Sequence, residues 1–351
     1  MKKSYSIPLA AAALLLAACS PSSPDATSET QASAKTLTIY SSRHYDSDRA
    51  LYAAYEDQSG IKLDVREAKA DQLLETMKAE GENSPADLII AADAGALWRF
   101  QDAGLTQAVN DDRINSKVPA NLRQSDGHWF GLGRRVRVVA YDPQRYAEGE
   151  VDNWFDLIDE DKSGEICVRS SSNIYNLSLM AEMIAREGAD QASVWANGIV
   201  ANMARKPQGG DTDQIRAVAA GQCSIAIVNH YYWVRLATSA SDADRAAAEA
   251  TKLVIPSFPD GAGAHVNITG IAVAATADDP TMAADFIAFL LSDTGQEMLT
   301  VETKELPIVA GIRLPEGVEA LPEFTSAGTS LDVLGENQSE AQRLYDLAGW
   351  N

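Results

Sequence analysis

The sequence predicts an α/β fold of two domains, in which mostly parallel sheets are flanked by helices. Short segments rich in β-branched residues alternate with amphipathic helices along the body of the chain, and that alternation is typical of βαβ units. When a leader of 18 residues is set aside from the 351-residue chain, about 330 residues remain. That length is enough for two domains, each with its own hydrophobic core.

The first half of the body reads as three strand–helix pairs. Ser47 and Asp48 offer side-chain oxygens that would cap the first helix, and Gly60 and Gly104 stand where the first and third helices would end. The predicted strands are 37–40, 61–65 and 87–92, and the predicted helices are 48–59, 71–80 and 94–103.

The second half repeats this rhythm. The predicted strands are 136–141, 165–169, 223–228 and 266–273, and the predicted helices are 175–187, 190–203, 211–220, 280–291, 293–301 and 338–348. Ligands of open α/β sheets bind beyond the carboxyl ends of the strands. We therefore expect a site in the loops that follow positions 40, 169 and 228.

The amino terminus reads as an export signal and not as part of the fold. Lys2 and Lys3 precede an apolar run too short to span a bilayer, which predicts a signal peptide over 1–18. The run ends in Leu-Ala-Ala-Cys, which resembles the bacterial lipobox and predicts lipidation of Cys19. The alternative is an ordinary cleaved signal with a chance cysteine. Residues 19–35 are rich in Ser, Thr and Pro and predict a disordered tether. The expected location is the periplasm or cell surface, on a lipid anchor.

The net charge argues against nucleic-acid binding, and the cysteines leave open whether the chain has a disulfide. With 29 Lys and Arg against 50 Asp and Glu, the chain has a net charge of −21 and would repel nucleic acid. No later apolar run is long enough to cross a membrane. Cys167 and Cys223 could form one disulfide outside the cytoplasm, or remain two buried free thiols.

Three loops after predicted strands carry tyrosines, namely Tyr45, Tyr175 and the pair Tyr231 and Tyr232. A phenolate oxygen is a hard anionic donor that suits Fe(III), and three phenolates would balance its charge. Since a free phenol titrates near pH 10, binding would release protons. His44 could add a nitrogen ligand. The alternative is that these are ordinary core and rim tyrosines.

Other polar residues near these loops have simpler interpretations. His128 and His265 lack metal-ligand spacing and are expected to be structural. His230 precedes the tyrosine pair, but its side chain need not face a site. Arg135 and Arg137 could be charges at a strand edge that face solvent.

Longer motifs carry a family resemblance. The segments are IYSSRHYDSDRALY (39–52), WFGLGRRVRVVAYDP (129–143), ICVRSSSNIYNLSL (166–179), PQGGDTDQIRAVAAGQCSIAIVNHYYWVRL (207–236) and HVNITGIAVA (265–274). They resemble the ferric-iron-binding solute-binding proteins of bacterial ABC transporters, and the similarity runs from about residue 36 to the end of the sequence. One departure is His230 after Asn229, where the family often has Asn-Thr or a similar pair.

The resemblance implies a two-lobed periplasmic-binding-protein fold of class II, with a mixed sheet flanked by helices in each lobe. The first lobe would comprise 36–137 plus 264–312, and the second 138–263 plus 313–351. Two crossover strands near 137–142 and 264–271 would form the hinge.

The resemblance also implies a ligand set for Fe(3+), which is His44, Tyr45, Tyr175, Tyr231 and Tyr232. A synergistic anion such as carbonate or citrate completes the shell in some members of the family. Arg43, Arg135 and Ser170 are candidates to contact that anion or the ligands themselves.

The expected role is therefore a monomeric binding protein that delivers ferric iron to an ABC transporter permease subunit. The alternative is a binding protein for a small organic anion or amine, such as a phosphonate, thiamine or a polyamine. An enzyme is not expected, because the sequence has no nucleophile elbow, HExxH motif or phosphate-cradling glycine loop.

Overall fold

The structure is a computed structural model that describes residues 35–43 and 45–351, except for the side chain of Asp260. The predicted signal peptide, Cys19 and His44 lie outside the described residues, as does all of the predicted tether but Lys35. None of the helices in the described ranges is both long enough and apolar enough to cross a membrane.

Ten strands form one continuous mixed sheet in the described part of the chain. Its strands are β1 Thr36–Ser41, β2 Lys62–Glu67, β3 Leu88–Ala91, β4 Thr106–Gln107, β5 Phe130–Tyr141, β6 Ile166–Cys167, β7 Ile225–Asn229, β8 Lys252–Val254, β9 Val266–Ala274 and β10 Leu306–Pro307. The main order is β2-β1-β3-β9-β5-β7-β6, with β4 beside β9 and both β8 and β10 beside β5.

Parallel and antiparallel pairing are combined in this sheet. β1 pairs in parallel with β2 and β3, and β6 pairs in parallel with β7. The pairs β3–β9, β9–β5 and β5–β7 are antiparallel. The residue pattern alone predicted a mostly parallel sheet, which is wrong at the centre, because β5 and β9 run opposite to their neighbours. The mixed sheet implied by the family resemblance is what the structure has.

The long strand β5 joins the two ends of the sheet. Its first half, Phe130 to Val136, pairs with β9, and its second half, Arg137 to Tyr141, pairs with β7. The predicted hinge segments, 137–142 and 264–271, meet at one end, where the Arg137 N–H donates to the His265 carbonyl at 3.1 Å. β5 begins at Phe130 and not at 136 as predicted, because pairing with β9 extends it through Gly131 and Gly133.

Twelve helices surround the sheet in the described residues. They are α1 Asp46–Ser59, α2 Ala70–Glu80, α3 Ala94–Asp102, α4 Asp112–Asn115, α5 Ile174–Asn202, α6 Asp211–Ala219, α7 His230–Ala237, α8 Asp242–Glu249, α9 Pro280–Leu290, α10 Asp293–Val301, α11 Val333–Glu336 and α12 Gln338–Ala348. The two helices predicted over 175–203 are the arms of α5, which kinks at Gly188, where φ is +81°. Only glycine adopts that conformation readily. Helix α7, which carries the tyrosine pair, was not given bounds from the sequence.

The interior contains two large apolar clusters. One surrounds β1, β3, β9 and the first half of β5, and the other lies between α5, α12 and the opposite end of the sheet. Trp154, Trp195, Trp350 and Tyr345 fill the second cluster, and their rings pack edge to face or at a tilt. A disulfide joins Cys167, at the end of β6, to Cys223, just before β7.

Candidate metal centre

The four tyrosines lie at three strand-to-helix junctions. Tyr45 is the N-cap residue of α1, and its backbone is still extended after β1. Tyr175 lies in the first turn of α5, where the Asn173 side chain caps the helix by accepting from the Tyr175 N–H at 3.1 Å. Tyr231 and Tyr232 lie in the first turn of α7, directly after β7. The sequence pattern of strand, short polar loop and helix therefore places each phenol where the sheet ends.

The structure brings the four phenols together. The rings of Tyr231 and Tyr232 have centroids 4.4 Å apart and are tilted by 36°. Tyr175 lies close enough to Tyr231 for each phenol to affect the other electrostatically, and Tyr45 and Tyr232 lie close enough to act on both. Tyr231 is buried, and the other three are partly exposed. A cluster of phenols drawn from three distant motifs is the geometry expected of a shared ligand site.

Burial raises the pKa of the Tyr175 phenol, and a negative charge on the neighbouring Tyr232 would raise it further. Burial also raises the pKa of Tyr231, with additional contributions from Tyr175 and Tyr232. In both cases the positive charge of Arg135 opposes the increase. Tyr175 and Tyr231 are thus protonated at neutral pH, since each of them, once ionised, would repel the other. A bound multivalent cation would reverse that repulsion.

Arginine side chains lie against the rings. The Arg43 guanidinium lies 5.1 Å from the centre of the Tyr45 ring, and Arg135 lies 5.1 Å from that of Tyr175. Arg235 lies between 5.0 and 5.7 Å from the ring centres of Tyr45, Tyr231 and Tyr232. Of these guanidinium groups, Arg135 favours the anionic form of Tyr175 and Tyr231.

Arg43 and Arg135 are buried and donate to protein acceptors. Arg43 donates to both carboxylate oxygens of Asp48, at 3.1 and 2.7 Å, and to Glu305 at 3.4 Å. Arg135 donates to Glu305 at 3.2 Å and to the Ile268 carbonyl at 3.0 Å, and it also contacts the Ala92 carbonyl. Their N–H groups are therefore committed to the protein, which favours a role in holding the tyrosines over a role in binding an anion.

Ser170, the third such candidate, shares a hydrogen bond with the Ser172 hydroxyl at 2.9 Å. Its carbonyl accepts from the Asn176 amide at 3.0 Å, which fixes the turn before Tyr175.

Arg137 connects the tyrosine motif that contains Asn176 with the one that contains Asn229. It is 1% exposed and donates to Asp211 at 2.6 Å, to Asn176 at 2.7 Å and to the Asn229 side chain at 3.1 Å. The Asn229 amide donates in turn to the Tyr231 hydroxyl at 3.3 Å. The interpretation of Arg135 and Arg137 as solvent-facing edge charges is wrong, because buried carboxylates distant in sequence partner both of them.

The His230 ring packs edge to face on the Tyr231 ring, with centroids 5.7 Å apart, and both of its nitrogens bond to the backbone. Its Nδ1 accepts from the Val136 N–H at 3.2 Å, and its Nε2–H donates to the Lys304 carbonyl at 3.1 Å. Burial lowers its pKa to about 4, so the ring is neutral. Both nitrogens are occupied by the backbone, which makes His230 a structural residue of α7 and not a metal ligand. His265 likewise pairs with the buried Glu182.

Several residues that shape the site had no clear sequence signal. Glu305, Asp211 and Asn176 act through contacts across long stretches of chain. Arg235 did have a signal, because it follows Tyr231 by one helical turn and therefore shares its face of α7. Among residues 35–43 and 45–351, no group of three or more His, Cys, Asp or Glu side chains is arranged to hold a metal ion.

The chain is similar to bacterial solute-binding proteins, among them proteins named for iron uptake and ferric-iron binding. A family model described as "bacterial extracellular solute-binding protein" matches residues 83–322. The chain is 39% identical to Iron uptake protein A1 of Synechocystis sp. over 336 residues, which cover 96% of this chain and 93% of that protein. It is 27% identical over 318 residues to the Major ferric iron-binding protein of Neisseria meningitidis serogroup B, covering 89% and 92% of the two chains.

A solved structure agrees with these relatives. The structure of a Trichodesmium protein (IdiA, FutA) in complex with iron and citrate superposes with a TM-score of 0.85 at 40% identity, covering 90% of this chain and 100% of that one.

Proposed function

Because this chain belongs to the bacterial extracellular solute-binding proteins, in the ferric-iron-binding group that serves ABC transporters, we propose that it captures Fe(III) through Tyr45, Tyr175, Tyr231 and Tyr232. Proteins of this family bind and deliver a solute and are not enzymes. The observation that carries the proposal is the convergence of four phenols from three strand ends. His44, next to Tyr45 in sequence, would add a nitrogen ligand.

The charges of the site support a trivalent cargo. Phenolates are hard donors, and three of them match the charge of Fe(III). The arginines beside the rings repel any cation, so only the strong attraction between several phenolates and a highly charged ion would overcome that repulsion. Since Fe(II) carries less charge and is softer, reduction would weaken binding and assist release. Equal affinities for the two oxidation states would contradict that step.

We propose that the chain closes over its cargo as two lobes, 36–137 plus 264–312 and 138–263 plus 313–351. The antiparallel pair β5–β9, which passes through the middle of the sheet, supports this assignment of the hinge. Tyr45 would come from the first lobe and the other three tyrosines from the second. Iron would then bridge the lobes and stabilise the closed form that the permease recognises.

The location of the protein follows from the same role. As an extracytoplasmic binding protein it works beside a membrane permease. We propose that Cys19, after removal of 1–18, carries the lipid that keeps the protein at the membrane. Metabolic labelling with a fatty acid would detect that lipid, and a Cys19→Ala variant that still incorporates label would contradict it.

The test is a visible absorption titration of the soluble chain without its leader and Cys19. Metal-free protein is titrated with ferric citrate, and the expected result is a phenolate-to-iron charge-transfer band that saturates at one iron per chain. Tyr45→Phe, Tyr175→Phe, Tyr231→Phe and Tyr232→Phe should each weaken the band. Tyr55→Phe is the matched control, since Tyr55 packs on Phe286 and Phe289 in the core.

A protein that stays colourless with ferric ion would overturn the proposal. Stabilisation of such a protein by an organic anion or amine would favour the alternative cargo.

A further inference from the structure

A short turn far along the chain underlies the whole tyrosine cluster. Thr303, Lys304 and Glu305 connect α10 to β10, and each of the three contacts a side chain that touches one of the tyrosines. The Thr303 carbonyl accepts from Arg235 at 3.0 Å, and the Lys304 carbonyl accepts from His230 at 3.1 Å. The Glu305 carboxylate accepts from Arg43 and Arg135.

The backbone of this turn is held in an uncommon conformation. Lys304 has a φ of +60°, and it is the one non-glycine residue among those described with a positive φ. A left-handed residue at this point allows the carbonyls of Thr303 and Lys304 and the side chain of Glu305 all to contact residues of the site. Such conformations cost free energy and persist where the surrounding contacts require them.

Glu305 is the charged member of the turn. Its side chain is 6% exposed, and its two oxygens take different partners, Arg135 at 3.2 Å through Oε1 and Arg43 at 3.4 Å through Oε2. Thr269 also donates to Oε1 at 2.7 Å. One carboxylate thus holds two buried guanidinium groups.

The two arginines are those that lie against tyrosines from different motifs. Arg43 is 5.1 Å from the Tyr45 ring centre, and Arg135 is 5.1 Å from that of Tyr175. Two candidate ligands are therefore connected through Glu305 by a series of side-chain contacts, which runs Tyr45–Arg43–Glu305–Arg135–Tyr175. Asp48 also holds Arg43, at 2.7 and 3.1 Å, and Asp93 lies 3.7 Å from Arg135, but Glu305 is the carboxylate that the two arginines share. A displacement of Glu305 would therefore change the contacts of both arginines at once.

We propose that Glu305 is a positioning residue for iron capture, which holds Arg43 and Arg135 against Tyr45 and Tyr175 and so sets the distance between these two ligands. This inference rests on the proposed function and deepens it. The effect of Glu305 is transmitted through the two arginines, and it is strongest at Tyr45 and Tyr175.

The experiment compares ferric-iron affinity and the charge-transfer band in the wild type and in Glu305→Gln and Glu305→Asp. Glu305→Gln removes the charge, and Glu305→Asp keeps it on a shorter side chain that cannot span both arginines. Both variants should bind ferric iron about ten-fold or more weakly, and the band maximum should shift, because charged hydrogen bonds of this kind are worth that much. Glu80→Gln is the control, since the Glu80 carboxylate accepts from Tyr40 and Ser84 and contacts neither arginine.

A double-mutant cycle separates positioning from general stability. In a Tyr45→Phe or Tyr175→Phe background the affinity loss caused by Glu305→Gln should shrink, because one of the ligands through which it acts is gone. Strictly additive losses, or a Glu305→Asp protein that matches the wild type in affinity and band, would overturn the inference. If Glu305→Gln fails to fold, the same cycle is run with Glu305→Asp.

The wild type in the same series distinguishes the two claims. If the wild type binds no ferric iron, the proposed function is wrong and this inference falls with it. If the wild type binds iron and both Glu305 variants bind it equally well with the same band, only the inference is wrong.

Discussion

The indole Nε1–H of Trp350 donates to the carbonyl oxygen of Arg169 at 3.0 Å. The Arg169 guanidinium lies 5.6 Å from the centre of the Tyr175 ring. Asn176 follows Arg169 by seven residues, and its carbonyl accepts a hydrogen bond from the Tyr345 hydroxyl at 3.0 Å. Both ends of the loop that carries Tyr175 are therefore held by residues at the end of α12 or just after it. A segment remote in sequence thus fixes one of the candidate ligands.

Replacing Trp350 should damage both stability and the site. Trp350→Phe keeps much of the packing in the second core but removes one of the two donors to the Arg169 carbonyl, the other being the Asn176 amide at 3.2 Å. Loss of that one hydrogen bond should cost about 0.5–1.5 kcal/mol of unfolding free energy. Because the loop before Tyr175 loosens, ferric-iron affinity should also fall. Denaturant unfolding and the iron titration measure the two effects. Leu347→Ala, at a position 69% exposed on α12, is the control and should change neither.

Arg137 should be essential to the fold around the site. Its buried pair with Asp211 would be broken in Arg137→Met, which leaves the fully buried carboxylate with Arg169, at 3.1 Å, as its remaining guanidinium partner. Loss of one partner of a buried ion pair costs up to about 3–5 kcal/mol, and the loss should lie toward the lower end of that range. The matched control is Arg145→Met, since Arg145 is about half exposed in its pair with Glu165 and such a pair contributes about 0–1 kcal/mol. Denaturant unfolding measures the free energy of unfolding of both variants. Equal losses of unfolding free energy would show that the buried ion pair contributes no more than the exposed one.

What the sequence revealed about this protein was mostly local. Strand-to-helix junctions were predictable because β-branched runs, capping residues and glycines act within a few positions, and the tyrosines at 45, 175 and 231 stand at such junctions. The family resemblance then connected three loops that no local pattern could bring together.

The network that supports the tyrosines was not predictable in this way. Arg137 meets Asp211 and Arg135 meets Glu305 across wide gaps in the chain, and no spacing rule relates such pairs. The antiparallel course of β5 and β9 was missed for a similar reason, since strand direction depends on how distant segments pair. His230 appeared to be a ligand candidate by adjacency, but helix geometry turns its ring toward the backbone of Val136 and Lys304.

The disulfide should support the two strands that carry three of the tyrosines. Cys167 and Cys223 are 56 residues apart in sequence and flank the parallel pair β6–β7. Loop-closure entropy predicts that Cys167→Ala/Cys223→Ala loses about 4 kcal/mol of stability. The expected result is a lower denaturation midpoint that no longer responds to reductant, while the wild type still does. A wild type unaffected by reductant under unfolding conditions would argue that the cysteines are free thiols.

Iron binding should release protons and strengthen as the pH rises. The phenol pKa values of Tyr175 and Tyr231 are raised by burial and by neighbouring phenols, so both groups are protonated in the metal-free protein at neutral pH. Each must lose its proton to coordinate iron, and apparent affinity should therefore increase by about ten-fold per pH unit for each proton released. At every pH below these raised pKa values, ferric-iron affinity should therefore fall as the solution becomes more acidic.

Two measurements test this prediction. Proton release on iron binding in weakly buffered solution gives the number of protons displaced. Competition with a chelator at fixed concentration gives the affinity, after the chelator's own pH dependence is subtracted. Tyr175→Phe should release about one proton fewer than the wild type, whereas the core variant Tyr55→Phe should release the same number. Affinity independent of pH between 6 and 8 after that correction would show that the phenols are not the ligands.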